Sequence, residues 1–204
     1  MNYLWTIREA AAIADIPAKA IRQMIEREDV RPYVAPERRR GASRLVSTRD
    51  LVFLKLLAEF PFALEKAHKA ALEALVRRRR SSDGDWQAEG QELVLRRGEL
   101  AVRVDCGRMR EMLLKNAAAF LWGQRRIVSD QAILGGEPIF RGTSVALSRV
   151  EAAIRGGASE DYLASAFPVL SEADLDYARI HARMGNRPGR PRKPLATRRA
   201  EQAA

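Results

Sequence analysis

The apolar positions of the first sixty residues fall on helical periods broken by short turns. Ile7, Ala10, Ala11 and Ala14 share one side of a short helix that starts after Thr6, and Ile21, Met24, Ile25 and Glu28 follow the 3.6-residue spacing in a second. The turn between them falls at Ala14 to Ile16. Pro17 suits the first turn of the second helix, where its missing N–H would have no intrahelical partner. With that apolar stripe inward, Lys19, Arg22, Gln23, Glu26 and Arg27 point outward. A Pro- and Arg-rich loop then leads through Arg44, Leu45 and Val46 to a third helix. There Ser47 and Asp50 have the spacing of a capping box, and Leu51, Phe53, Leu54 and Leu57 give an apolar face.

Further along, Leu64, Ala67, Ala71, Leu72, Leu75 and Val76 predict a helix over 62–80, ending in Arg77 to Arg80, where cations favour the helix dipole. The polar, turn-rich stretch 81–91 reads as a linker. LVLRRGELAVRV alternates about Arg97-Gly98 and predicts a β-hairpin, followed by a helix capped by Asp105 and running to Leu121. Two strands are too small a sheet to stand alone, so they must pack on a helix, join another sheet or pair across a dimer, the last being favoured. Residues 126–145 read as a hairpin-like segment, and helices are expected near 147–155, 159–167 and 171–184. Ser159 and Ser171 are their start signals, and Gly156-Gly157 is a stop. Within ILGGEPIFRGTSV, Gly135 and Gly136 supply the positive φ of a tight turn, Pro138 extends the chain at Ile139 and Phe140, and Gly142 turns it again.

The pattern therefore describes a mainly α chain with two small β-hairpin elements. Its expected units are a helix-turn-helix domain at 1–60, a connecting helix at 61–80, a linker at 81–91, a hairpin plus helix at 92–125, a trihelical domain at 126–184 and a basic tail at 185–204.

Charge changes the picture more than composition does. A net charge of +10 and a pI near 10.4 favour a polyanionic partner, nucleic acid before an anionic membrane surface. The charge is uneven: residues 128–184 carry five cations against eight anions, whereas 185–204 carry six against one. The trihelical unit is thus better suited to self-association or a protein partner. The tail, rich in proline and arginine, is expected to be disordered in isolation. Its Gly189-Arg190-Pro191 resembles the centre of an AT-hook, with Pro188 where a hook has arginine.

Candidate chemistry is sparse. Cys106 is the single cysteine, which excludes an intramolecular disulfide or a cysteine zinc cage and fits a reducing compartment. His68 and His181 sit on predicted helices without the spacing of a metal or nucleophile site, and Gly135-Gly136 does not follow the phosphate-loop pattern. No stretch has the pattern of a signal peptide or the length of a membrane span. The expectation is a cytoplasmic binding protein, not an enzyme, with no catalytic residue, metal or cofactor and no membrane contact.

Two resemblances sharpen this. Residues 3–60, with TIREAA, a second helix carrying Arg22, a basic loop and RLVSTRDL, resemble the MerR-type winged helix-turn-helix. That likeness implies that Lys19, Arg22, Gln23 and Arg27 enter a DNA groove while Arg38, Arg39, Arg40 and Arg44 clamp phosphate. The segment from Ile127 to Ala182, with Ser129, Asp130, Gly135, Gly136, Pro138, Gly142, Thr143 and Pro168 in order, resembles the family of domain of unknown function 433. Gln131, Ser144 and Ala146 stand where its pattern has proline, arginine and proline. The resemblance implies a homeodomain-like trihelical fold, homodimers paired through the extended segment, and the antitoxin half of a type II toxin–antitoxin pair whose toxin is a PIN-like ribonuclease. Operator DNA and that toxin are then the expected partners. Arg187, Arg190, Arg192 and Lys193 are chemically suited to block the toxin's metal-binding carboxylates, although DNA is open to them as well. The alternative is a MerR-like transcriptional regulator without a toxin.

Overall fold

Thr6 begins the helical part of the chain. Its hydroxyl accepts from the Glu9 amide while the Glu9 carboxylate accepts from the Thr6 amide at 2.9 Å, so the end of β1 (Leu4–Thr6) passes directly into α1 (Ile7–Ala14). Asp15 closes α1 in the left-handed region, and Pro17 caps α2 (Ala18–Glu26). The computed structural model describes residues 3–37, 41–60, 64–76, 86–97 and 99–185, without the side chains of 35–37, 41–43, 97 and 100; the described residues are mainly helical, with small antiparallel sheets. Beyond α2, β2 (Tyr33–Glu37) and β3 (Gly41–Ser47) pair as a hairpin, and β1 joins the other edge of β3 with Trp5 opposite Val46. The Asp50 carboxylate accepts from both the amide and the hydroxyl of Ser47, fixing the start of α3 (Thr48–Glu59).

The middle of the chain departs from the sequence reading. Helix α4 (Lys66–Val76) lies within the span expected for it, and Arg77 to Arg80 fall outside the described residues. The linker expected at 81–91 is interrupted by β4 (Trp86–Glu89), which pairs with β5 (Glu92–Arg97), itself paired with β6 (Leu100–Asp105). The hairpin is therefore a three-stranded meander, and the described residues form three small sheets where two hairpin elements were expected. The reason is tertiary: Trp86 is buried edge-to-face against Phe60 at 5.6 Å, which a polar local sequence does not announce. The meander packs on α4 and on α5 (Cys106–Arg126), so it finds its covering helices within its own chain. Asp105 caps α5 by accepting from the Arg108 amide at 2.9 Å, and the helix continues past Leu121 to Arg126.

The last part follows its start and stop signals. A two-stranded sheet of β7 (Ile127–Val128) and β8 (Ile139–Phe140) precedes α6 (Leu147–Arg155), α7 (Glu160–Ala166) and α8 (Glu172–Arg183). Ser159 and Ser171 cap α7 and α8, and Gly157 turns the chain after α6 at φ 81°. Helix α8 does not stop at its own bundle: it lies along α5 and touches α1. Trp5 of β1, Phe120 of α5 and Tyr177 of α8 follow one another at ring separations of 6.0 and 5.7 Å, so one apolar core runs from the first strand to the last helix.

Candidate nucleic-acid interface and protein-docking groove

Ile21, Met24 and Ile25 anchor α2 in the core, which leaves Lys19, Arg22 and Gln23 exposed along its opposite side and Arg27 exposed at its end. Lys19, Arg22, Gln23 and Glu26 are spaced by three and four residues and so share one helix face. Arg44 is exposed on β3, opposite Val34, itself 63 % exposed. Arg38, Arg39 and Arg40 lie outside the described residues, as do Arg187, Arg190, Arg192 and Lys193. The sequence reading passed over two further exposed arginines: Arg31, between α2 and β2, and Arg49, in the first turn of α3. Arg27 and Arg31 also line a groove of about 850 Å³ with Lys66 and Lys69, where Glu28, Asp29, Asp50 and Glu73 balance them. Lys69 holds Asp29 at 2.7 Å across it.

The glycine-containing segment builds a second site. Gly135, Gly136 and Gly142 take φ of 64°, 83° and 79°, where a side chain would be strained. The Thr143 hydroxyl donates to the Phe140 carbonyl at 2.8 Å and accepts from the Val145 amide at 3.1 Å, closing the turn after β8. Ile139 and Phe140 are buried, so the strand is a fixed wall. In front of it lies a groove of about 1100 Å³ lined by Val128, Ser129, Asp130, Gln131, Ile133, Ile139, Gly142, Thr143, Ser144, Val145 and Val169. Ile133, Leu134 and Val169 are exposed large apolar side chains at or beside it. Gln131 and Ser144 line the groove, whereas Ala146 is buried.

Behind this site, charged groups are paired. Asp174 of α8 is buried and receives Arg126 from the end of α5 at 3.1 and 3.3 Å as well as the Ser171 hydroxyl at 2.8 Å. Burial works to raise the Asp174 carboxyl, but the Arg126 and Ser171 hydrogen bonds outweigh it and hold the group below its ordinary value. Glu151 of α6 meets both His181 and Arg155. His181 is therefore a structural partner on a helix face. Burial pushes the Cys106 thiol up to about 11, against the thiolate that a reactive cysteine needs. Among the described residues, no group of three or more His, Cys, Asp or Glu side chains is placed to hold a metal ion, and no helix is long and apolar enough to cross a membrane.

No curated protein and no solved structure matches the chain. Residues 127–182, which hold the glycine turns, the groove and the three last helices, match the family described as protein of unknown function, DUF433.

Proposed function

We propose that the chain is a DNA-binding antitoxin that represses its own operon and neutralises a PIN-like ribonuclease. The observation that carries the DNA part is the exposed face of α2, where Lys19, Arg22 and Gln23 stand outward from a helix locked into the core by Ile21, Met24 and Ile25. Two helices joined at Asp15 and followed by a β-hairpin with an exposed arginine support reading this end as a winged helix-turn-helix. In that layout α2 occupies the major groove and Arg44, with Arg38 to Arg40, neutralises phosphate. The antitoxin part rests on the family match over residues 127–182 and on the groove in front of β8, whose exposed Ile133 and Val169, with the exposed Leu134 next to Ile133 in the chain, offer a protein partner an apolar seat. The acidic balance of this region makes it the protein-facing end.

Two measurements test the reading. Tagged chain purified from its native cell should carry the product of the neighbouring gene with it, and that product should be a ribonuclease whose activity returns when the complex is stripped. Purified chain should also bind the DNA upstream of its own reading frame. The double variant Arg22→Ala, Gln23→Ala should lose about 1–3 kcal/mol of discrimination per base contact without a change in melting temperature. Equal binding of specific and scrambled duplexes by the unmodified chain would overturn the operator role, and a solitary chain from the native cell would leave a regulator without a toxin.

A further inference from the structure

Helix α5 is buried along one side only. Leu113, Ala117, Phe120 and Gly123 face the core, whereas Glu111, Leu114, Ala118, Trp122 and Arg125 on the opposite side are all exposed. At about 100° per residue these five fall within about 40° of the direction of Ala118, so they form one stripe along the helix axis. Leu114 is 53 % exposed and Trp122 51 %, while the other two tryptophans, Trp5 and Trp86, are each at 3 %. Scattered apolar side chains on a surface need no explanation, but an ordered stripe asks what covers it.

The order of this stripe is symmetric about its middle. Four residues from Ala118 on either side stand Leu114 and Trp122, and seven residues away stand Glu111 on one side and Arg125 on the other. We propose that this face of α5 is a homodimer interface, in which two copies of the chain lay their stripes together antiparallel about a two-fold axis at Ala118. In that register Leu114 of one copy meets Trp122 of the other and Glu111 meets Arg125, each contact occurring twice, as a two-fold pair requires. Ala118 meets its own counterpart, and so small a side chain lets the helix axes approach to about 8–10 Å. A parallel pair would set Glu111 against Glu111 and Arg125 against Arg125, so the charges select the antiparallel one. Neither charge is held by an ion pair among the described residues, and Lys115, at the margin of the stripe, reaches sideways to Asp176 at 3.7 Å. A protein of different sequence has no reason to match a self-complementary order, which is why a second copy, and not a toxin, is the occupant. The contact runs over about 21 Å of helix, short of a standard interface, so the pair forms reversibly. This inference is independent of the DNA-binding reading.

The test is a charge exchange read by sedimentation equilibrium. The full chain, followed from about 1 µM to about 1 mM, should pass from monomer to dimer. Glu111→Arg and Arg125→Glu, made singly, each set like charges at both ends of the pair and should weaken the dimer at least about tenfold at low salt. The double variant Glu111→Arg, Arg125→Glu restores opposite charges and should return the affinity close to that of the unaltered chain. The two positions lie about 21 Å apart along one helix, so rescue can only pass between copies. In the unaltered chain, acrylamide quenching of tryptophan fluorescence, carried by the exposed Trp122, should fall over the same concentrations. A monomer at every concentration would overturn the inference. So would a dimer that both single variants leave intact, which would put the pairing elsewhere, and so would single variants that dissociate and are not rescued by the double. Shielding of Trp122 only when the product of the neighbouring gene is added would overturn it in favour of that protein.

Discussion

Asp174 places three demands on one carboxylate: it is buried, it completes the capping box that starts α8, and it receives Arg126 from the end of α5. Its lowered pKa means that its contribution to stability is complete above its unfolded value and is lost as pH falls through the folded one. Asp174→Asn should cost about 2 kcal/mol at neutral pH, because Arg126 loses its counter-charge, and should flatten the acid limb of a stability profile below about pH 4. An acid limb as steep in the variant as in the parent would refute this. Tyr177 behaves in the opposite sense. Burial first, then the carboxylates of Glu151 and Glu9, push its phenol up to about 12. Stability from the neutral phenol is complete below its ordinary value and lost as pH rises through the folded one. An ultraviolet titration should show one late tyrosinate transition, and Tyr177→Phe should abolish it.

Among elements, the contact that decides most is α5 on α8. Gly123 lies inside α5, where glycine costs about 1 kcal/mol relative to alanine. It is retained because a Cβ there would lie 1.9 Å from Cγ of Tyr177 and 2.4 Å from its Cβ, atoms too close to the α8 backbone to move aside. Gly123→Ala should therefore destabilise despite its better helix propensity, by a net of about 2 kcal/mol, read as a lowered melting temperature. A rise in melting temperature would show that the helices can separate freely. Helix α1 depends on its neighbours in another way. It has no cation in its last turn, and its final carbonyls are satisfied from elsewhere: Ala12 by Arg183, Ile13 by Asn116 at 2.9 Å, and Asp15 by Lys55 at 3.2 Å. Helices α8, α5 and α3 thus hold the helix that sets the direction of α2.

At the scale of the molecule, the shared core couples the two ends. Trp5, Phe120 and Tyr177 lie in one apolar cluster that crosses the boundary between the regions the sequence separates at residue 125. Unfolding should accordingly be a single transition seen alike by far-ultraviolet dichroism and tryptophan fluorescence. Two separated transitions would mean that the α5–α8 contact contributes little. A partner seated in the groove before β8 would bear on the same core that carries α2. Such a ligand should raise the melting temperature of the whole chain, not of residues 127–182 alone.

Much of this was legible in the chain itself, and what was legible is local. Thr6, Ser47, Asp105, Ser159 and Ser171 act as helix starts because a capping hydroxyl or carboxylate needs only amides two or three residues away. The exposed side of α2 followed from a 3.6-residue period, and the turns at Gly135, Gly136 and Gly142 from a left-handed backbone that glycine enters without strain. The isolated Gly123 was the one available hint of a close helix contact, since a costly residue inside a helix needs a packing reason. Burial of Trp86, pairing of Arg126 with Asp174, and the fastening of Gly185 to Arg8 carry no comparable mark, for each joins residues far apart in the chain. Sequence alone determined which segments become helices and turns, because those preferences are settled within a few residues. Only the tertiary structure decided that α8 belongs as much to α5 and α1 as to its own bundle, because that outcome depends on which apolar faces meet when the whole chain excludes water.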